Sequence, residues 1–200
     1  MDGAGRDIYR GVGVSVFVVA EAAATHDGDL DKAYRLVRLA KDIDADGCKF
    51  QWLSSPERLA ERRRAPEYLD AYRVLAFPEA WHGALAEACA AVGIEYMCTV
   101  FLPEDIAVIA PYVKRWKVAS FENEDEEMLD RLNAFGQPVY VSAGMLDEEQ
   151  AVWRAGSHEH IELLHCVSAY PTPIEQINLG VLHTGLYAGL SDHTRHAWIG

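Results

Sequence analysis

Short apolar runs alternate with amphipathic segments along most of the chain, and this alternation predicts repeated strand–helix units. The first strand is expected at residues 14–20, an apolar run that ends at Glu21. A helix should follow it, because apolar residues then recur at the three-to-four-residue spacing of one buried face. These residues are Ala33, Leu36, Val37 and Ala40, and Asp29 or Asp31 lies where the helix would begin.

The same alternation continues to the end of the chain. Further strands are predicted at residues 46–51, 94–98, 116–119, 138–141, 161–164 and 186–189. Helices are predicted at residues 79–92, 104–113, 126–135 and 147–155, and a short segment at 176–183 precedes the last strand. Seven such units indicate a parallel sheet with right-handed crossovers. A doubly wound sheet and a closed (β/α) barrel both have this pattern.

Polar side chains at the end of every predicted strand favour the barrel. In chain order they are Glu21, Lys49, Gln51, Thr99, Ser120, Ser142, His165, Ser168, Tyr170, Asp192 and His193. An open sheet needs such ends only beside its switch point, whereas a barrel gathers all of them around one mouth. We therefore predict an α/β fold of the (β/α)8 TIM-barrel type over residues 1–200, with about seven of the eight units present.

Residues 52–78 interrupt the pattern with a long, charged segment that contains three prolines and Arg62, Arg63 and Arg64. Long connections without a regular pattern are either solvated excursions or functional lids. The solvated excursion is the simpler interpretation, and we take it as the prediction.

Composition restricts the partners. The net charge of −13 and the pI near 4.9 argue against nucleic acid and against an anionic membrane surface. No apolar stretch approaches the length of a membrane span, and residues 1–18 lack the pattern of a signal peptide, so we expect a cytoplasmic protein. The four cysteines are scattered without a CxxC pair, which predicts reduced thiols in the core.

Two lysines in apolar strands are the first candidates for chemistry. A lysine is costly in such a place unless it meets a negative partner. Lys49 and Lys117 either form structural ion pairs with Glu21 or Glu122, or bind an anion together with nearby hydroxyls. The hydroxyls are those of Thr99, Ser120 and Ser142. With no Walker-type glycine loop, a small phosphorylated metabolite suits such a site better than a nucleotide.

The histidines leave several interpretations open. His193, between Asp192 and Thr194, is a metal ligand, a general base or a satisfied loop residue, whereas His165 is expected to pack in the core. No HxH or HExxH spacing completes a metal site in the 200 residues. Glu21 either holds a substrate hydroxyl, handles a proton or neutralises a lysine.

Six stretches together resemble the sialic acid synthase family, whose members make N-acetylneuraminic, legionaminic, pseudaminic and related acids. They are AEAAATHDG at 20–28, DADGCKFQ at 44–51, KVASFE at 117–122, SAGM at 142–145, LLHCVSAYPTPIEQINL at 163–179 and GLSDHT at 189–194. The stretch at 163–179 and the SDHT sequence are the most specific of them. The matches follow the family's order across nearly the whole chain.

The resemblance implies a barrel that condenses phosphoenolpyruvate with the open-chain aldehyde of an N-acylmannosamine-type sugar. The products would be a nine-carbon 2-keto acid and phosphate. By motif, the catalytic residues would be Glu21, Lys49, Lys117, Glu122 and His193. The substrate-binding residues would be Lys49, Gln51, Thr99, Lys117, Ser120, Ser142, Ser168, Tyr170 and Asp192. His193 would be one of two histidines that hold a divalent metal, Mn²⁺ in the first place, with Mg²⁺ or Co²⁺ as alternatives.

The chain also departs from the family pattern. It contains neither the eighth strand, with its second metal histidine, nor the antifreeze-like domain that follows in the family, where the full-length form is a homodimer. A barrel that lacks a strand exposes unpaired edges, so we expect this chain alone to be poorly stable or oligomeric and not fully active. Phe121 replaces a small glycine of the family beside Glu122, and Ala23, Ala24 and Thr25 also differ from its pattern.

Two other functions remain open from the residues. A non-catalytic remnant of the barrel would bind a phosphorylated metabolite or a partner without turning it over. A barrel lyase or aldolase would instead use Lys49 or Lys117 to form a Schiff base with a carbonyl substrate.

Overall fold

The computed structural model describes residues 16–196, in which seven parallel strands form one sheet in the order of the sequence. The strands are β1 (Val19–Ala23), β2 (Gly47–Gln51), β3 (Glu95–Val100), β4 (Trp116–Val118), β5 (Val139–Ser142), β6 (Ile161–Cys166) and β7 (Gly189–Ser191). Each strand pairs with the next, as in a barrel, whereas a doubly wound sheet reverses its order at a switch point. The predicted barrel architecture, short of a complete ring, is confirmed.

Helices alternate with the strands over most of this length. The α-helices are α1 (Leu30–Asp42), α2 (Pro56–Arg62), α3 (Leu69–Arg73), α4 (Trp81–Val92), α5 (Ile106–Ile109), α6 (Glu126–Asn133) and α7 (Glu148–Ser157). Asp29 caps α1 by accepting hydrogen bonds from the amides of Asp31 and Lys32. Between β6 and β7 the described residues form only the 3₁₀ turns Ile174–Gln176 and Leu179–Thr184.

The alternation of side chains along each strand separates the core from the site. In β2, Cys48 and Phe50 belong to the main apolar cluster, which also contains the buried faces of α1, α4 and α6. Lys49 and Gln51 point to the opposite face because successive side chains of a strand alternate. The parallel register pairs Glu21 with Lys49 and Thr99 with Lys117. The sequence thus puts apolar residues under the helices and polar ones inside the curled sheet.

Three predicted boundaries were wrong. Glu21 lies within β1 and does not follow it, while the start of the predicted run, before residue 16, lies outside the described residues. The helix predicted at 104–113 is reduced to α5, which ends before Pro111, a residue without the backbone N–H that would continue the helical hydrogen bonds. The last strand begins at Gly189, after a left-handed turn at Gly185, and not at residue 186.

Residues 52–78, called the cap below, are not the solvated excursion that we predicted. A second cluster buries Leu53, Leu59 of α2 and Tyr72 of α3 against Phe101 and Leu102, which follow β3. Polar contacts add to this packing. The amide of Ser54 donates to Asp105 Oδ2 at 3.0 Å, and Arg58 pairs with Glu104 at 2.8 Å. The cap is therefore docked on the loop that follows β3.

The four cysteines are free and buried, as predicted. Within residues 16–196, none of the helices combines the length and the apolar character that a membrane crossing requires.

Candidate active site

Lys49 is neutralised by a carboxylate within the sheet. Its ammonium forms an ion pair with Glu21 on β1 and donates to Thr99 Oγ1 on β3 at 3.0 Å. Both contacts follow from the register, which places these residues on strands adjacent to β2. The structural ion pair that the sequence allowed is thus formed at Lys49, while Glu21 itself remains about half exposed at the mouth.

Lys117 has a different environment, since its hydrogen-bond partners are neutral. Its Nζ donates to Ser142 Oγ at 2.6 Å and to the carbonyl of Val118 at 2.8 Å. Burial, followed by the nearby charge of Lys49, lowers the pKa of Lys117 to about 7. Within residues 16–196 it forms no ion pair, and the pairing with Glu122 that we considered is not made. A buried ammonium in such a place is stabilised by an anion.

Hydroxyl groups converge beside Lys117 at Gly144. A Cβ atom at Gly144 would lie 2.7 Å from Ser120 Oγ, still closer to Ser168 Oγ, and 3.3 Å from Cys166 Sγ. The absence of a side chain there lets hydroxyls from the ends of two strands meet over one stretch of backbone. We call the group formed by Lys49, Thr99, Lys117, Ser120, Ser142 and Ser168 the anion site.

Asn123 supports the anion site and was missed by sequence reasoning. Its buried amide donates to the carbonyls of Ser142 and Gly144 at 3.1 and 3.0 Å. It thereby fixes the loop after β5 against the loop after β4. Asn123 directly follows the KVASFE stretch, but an asparagine in that position is equally typical of a turn.

Glu122 is almost fully buried and is paired with an arginine of the cap. Arg63 Nε donates to Glu122 Oε1 at 2.8 Å, and a second guanidinium nitrogen contacts the same oxygen. Burial raises the pKa of Glu122 to about 7, although the charge of Arg63 opposes the rise. Sequence reasoning missed Arg63, because it lies in a charged run that is typical of a solvated surface.

His193 follows β7, and the centroid of its ring lies 4.1 Å from that of the Tyr170 ring. Its Nδ1 is 3.0 Å from the carbonyl of Val167 and 3.8 Å from Cys166 Sγ. Burial lowers the pKa of His193, but the bonds to Cys166 and Val167 raise it above the ordinary value. A carbonyl only accepts, so in the neutral ring Nδ1 carries the proton and Nε2 has the lone pair.

This tautomer fits a metal ligand, since metal-binding histidines usually donate their other ring N–H to a carbonyl or carboxylate. The described residues contain no group of three or more His, Cys, Asp or Glu side chains that could hold a metal ion. His193 therefore fits as a single ligand.

Asp192 and Gln51 lie at strand ends, whereas His165 points away from the face of β6 that carries Cys166. Asp192 accepts bonds from the amide and hydroxyl of Thr194 at 2.8 and 3.1 Å, so it shapes its own turn. Gln51, at the end of β2, is partly exposed and pairs with Thr99 in the register. His165 packs its ring edge-on against Tyr187.

Comparisons with known proteins agree on one family. The NeuB family pattern matches residues 36–199. N,N'-diacetyllegionaminic acid synthase of Legionella pneumophila is 31% identical over 211 residues, which cover 92% of this chain and 59% of that protein. Human N-acetylneuraminate-9-phosphate synthase is 30% identical, over 83% of this chain and 50% of that protein.

A solved structure is similar as well. The N-acetylneuraminic acid synthetase of Leptospira borgpetersenii superposes with a TM-score of 0.83 at 26% identity, over 93% of this chain and 68% of that one. The present chain spans between half and three fifths of the length of the curated relatives that it matches.

Proposed function

The chain belongs to the NeuB family, and we propose that it forms the barrel of an enzyme that makes a nonulosonic acid from phosphoenolpyruvate and an N-acylmannosamine-type sugar. The relatives named as synthases of legionaminic, pseudaminic and sialic acids support this class of product. The single observation that carries the choice of substrate is the anion site, where Lys117 is buried, has no carboxylate partner among residues 16–196 and lies beside converging hydroxyls.

Phosphoenolpyruvate carries a phosphate and a carboxylate close together, and the anion site offers two kinds of group to match them. Lys117 would supply the positive charge, with Lys49 beside it already paired with Glu21. Short hydroxyl donors would come from Thr99, Ser120, Ser142 and Ser168. Hydrogen bonds to charged groups are about twice as strong as those between neutral groups. Binding an anion would also remove the cost of the buried ammonium of Lys117.

In the proposed reaction, C3 of the enol attacks the aldehyde carbon, and water adds to C2 of the resulting oxocarbenium ion. The tetrahedral intermediate then expels phosphate. The attacking water must lose a proton, and the aldehyde oxygen must gain one. Glu122, whose pKa lies at about 7, would hold or release a proton near neutral pH. Glu21, which is about half exposed at the mouth, is the second carboxylate that could exchange a proton with a substrate.

A divalent metal, Mn²⁺ in the first place and Mg²⁺ or Co²⁺ as alternatives, would be held in part by Nε2 of His193. When bound it would supply Lewis acidity for the sugar aldehyde. Tyr170, whose exposed ring lies against His193, would border the acceptor on that side. A homodimer of the full-length form and a cytoplasmic location stay predictions.

A Schiff-base aldolase is the second candidate, because one observation favours it. An amine with a pKa of about 7 is partly unprotonated at neutral pH and is therefore nucleophilic, and Lys117 meets this condition. Reduction by borohydride in the presence of a carbonyl substrate would attach that substrate to Lys117 in an aldolase. The proposed synthase forms no imine and should stay unmodified.

The test is phosphate release from phosphoenolpyruvate, with Mn²⁺ and a panel of mannosamine-type sugars, by the full-length gene product and by this chain. We expect phosphate only when a sugar is present, and only weakly or not at all from the 200 residues alone. Release without sugar, or borohydride trapping, would contradict the synthase. Binding of phosphoenolpyruvate without release by either form would support a non-catalytic barrel.

A further inference from the structure

The cap, which follows β2, extends to the loop after β4 and binds two carboxylates there. Arg63, directly after α2, binds Glu122, and the neighbouring Arg62 binds Asp125, the residue that caps α6. Arg62 and Arg63 are separated in sequence from these partners by about sixty residues. The end of α2 is thus fixed to the same loop that carries Ser120 of the anion site.

Aromatic rings surround the guanidinium of Arg63. Its central carbon lies 4.9 Å from the ring centre of Phe121, 5.4 Å from that of Tyr72 and 5.5 Å from that of Phe101. The side chain is 18% exposed, while Phe121 is 67% exposed and covers it at the mouth. An arginine held by a carboxylate and by ring faces has one geometry only, since the planar fork must satisfy both.

This arrangement leaves one oxygen of Glu122 unused. Arg63 occupies Oε1, whereas Oε2 is buried and has no hydrogen-bond partner in the part of the chain that the structure describes. A buried carboxylate oxygen without a donor is unfavourable by itself. Lys117 and Tyr170 lie near enough for Glu122 to influence their pKa values. The Glu122 carboxylate is therefore within electrostatic range of Lys117 in the anion site and of Tyr170 at the mouth.

We propose that Arg63 is a positioning residue for the acceptor. It fixes Glu122 so that Oε2 accepts a hydrogen bond from a hydroxyl or amide N–H of a polyhydroxylated aldehyde, and Phe121 covers Arg63 and borders the acceptor with an apolar ring. The docked cap thus serves the acceptor and not phosphoenolpyruvate. The identity of the acceptor rests on the proposed function, whereas the contacts of Arg63 with Glu122 and Phe121 do not.

The inference is tested in the full-length protein with Arg63→Lys, which keeps the charge but removes the fork. The matched control is Arg64→Lys, at the exposed neighbouring residue. We expect Arg63→Lys to raise the KM for the acceptor about tenfold, with the KM for phosphoenolpyruvate unchanged. It should also shift the pH profile of kcat to higher pH, because Glu122 loses the guanidinium hydrogen bonds that lower its pKa. Arg64→Lys should change neither quantity.

Phe121→Ala is the second variant. It removes a ring that is mostly exposed, so folding should be unaffected. It should raise the acceptor KM several-fold in the same direction. Calorimetric binding of phosphoenolpyruvate verifies that each variant is folded. An active parent whose acceptor KM and pH profile survive both substitutions would overturn the role of Arg63. A parent that releases no phosphate with any sugar would instead refute the proposed function, and this inference with it.

Discussion

The two sides of the candidate site differ in how completely the described residues build them. On the closed side, formed by β2 to β5, Lys49, Thr99, Lys117 and Ser142 are at most 7% exposed and bonded to one another or to nearby groups. On the open side, formed by the segments after β6 and β7, Tyr170 is 73% exposed and Asp192 accepts bonds from Thr194 in its own turn.

The cause is the position of the strands in the sheet. Strands β2 to β5 each have a paired neighbour on both sides, and helices cover them. By contrast, β7 has three residues, is paired only with β6 among the described strands, and is reached through 3₁₀ turns. Within residues 16–196 the closed side is therefore built from buried, mutually bonded side chains, whereas the open side is short, exposed and held by fewer contacts.

The largest expected effect comes from removing the charge of the closed side. Lys117→Met should weaken binding of phosphoenolpyruvate about a hundredfold or more, because a buried cation facing an anion is replaced by an apolar side chain. Folding should not suffer, since the buried charge and its desolvation disappear together. Calorimetry measures the binding, and Lys114→Met, at an exposed lysine, is the control.

The same lysine predicts a pH dependence. Its pKa of about 7 means that the positive charge is lost as pH rises through neutrality. The affinity for sulfate, whose own charge is constant there, should therefore fall several-fold from about pH 6 to about pH 8. Lys117→Met should bind sulfate weakly at every pH. A flat profile in the parent would show that the closed side is not organised around this ammonium.

A smaller effect is expected from filling the space at Gly144. Gly144→Ala would place a Cβ atom 2.7 Å from Ser120 Oγ and closer still to Ser168 Oγ, so at least one hydroxyl must move. We expect the affinity for phosphoenolpyruvate to fall about tenfold, a loss of about 1.4 kcal/mol. Thermal melting combined with calorimetry separates this loss from a general loss of stability.

Gly156→Ala is the matched control, because nothing lies within 4 Å of the added methyl group and the residue is inside α7. It should leave binding unchanged and raise stability by about 0.5–1 kcal/mol. Unchanged binding in Gly144→Ala would mean that Ser120 and Ser168 do not act on the ligand together.

The sequence predicted the closed side better than the rest, for a physical reason. Local patterns of alternating apolar residues locate the strands, and with them the polar residues at the strand ends. Because one face of the sheet must be buried, the same patterns also set the register that brings these polar residues together. They are Lys49, Thr99, Lys117 and Ser142. The docked cap was mispredicted, since its charges are satisfied by Glu122 and Asp125, some sixty residues away. No local pattern records such a partner, and the same holds for the bonds of Asn123.

The smallest effect is expected from loosening the open side. Thr172 is buried, and its hydroxyl donates to the carbonyl of Ala169 at 2.9 Å, while its amide donates to the carbonyl of His193 at 2.9 Å. Thr172→Val keeps the shape and removes the hydroxyl bond, which should cost about 1 kcal/mol. Because the loops after β6 and β7 meet here, hydrogen exchange at residues 167–172 should become faster.

Thr25→Val is the matched control. The hydroxyl of Thr25, in the loop after β1, also donates to the carbonyl three residues before it, that of Ala22, at 2.7 Å. It is exposed, so water can replace the lost donor and exchange near β6 should not change. Faster exchange across the closed side in Thr172→Val would show that the two sides are one cooperative unit. Faster hydrogen exchange confined to the open side would show that the loops after β6 and β7, which carry His193, open separately from the closed side.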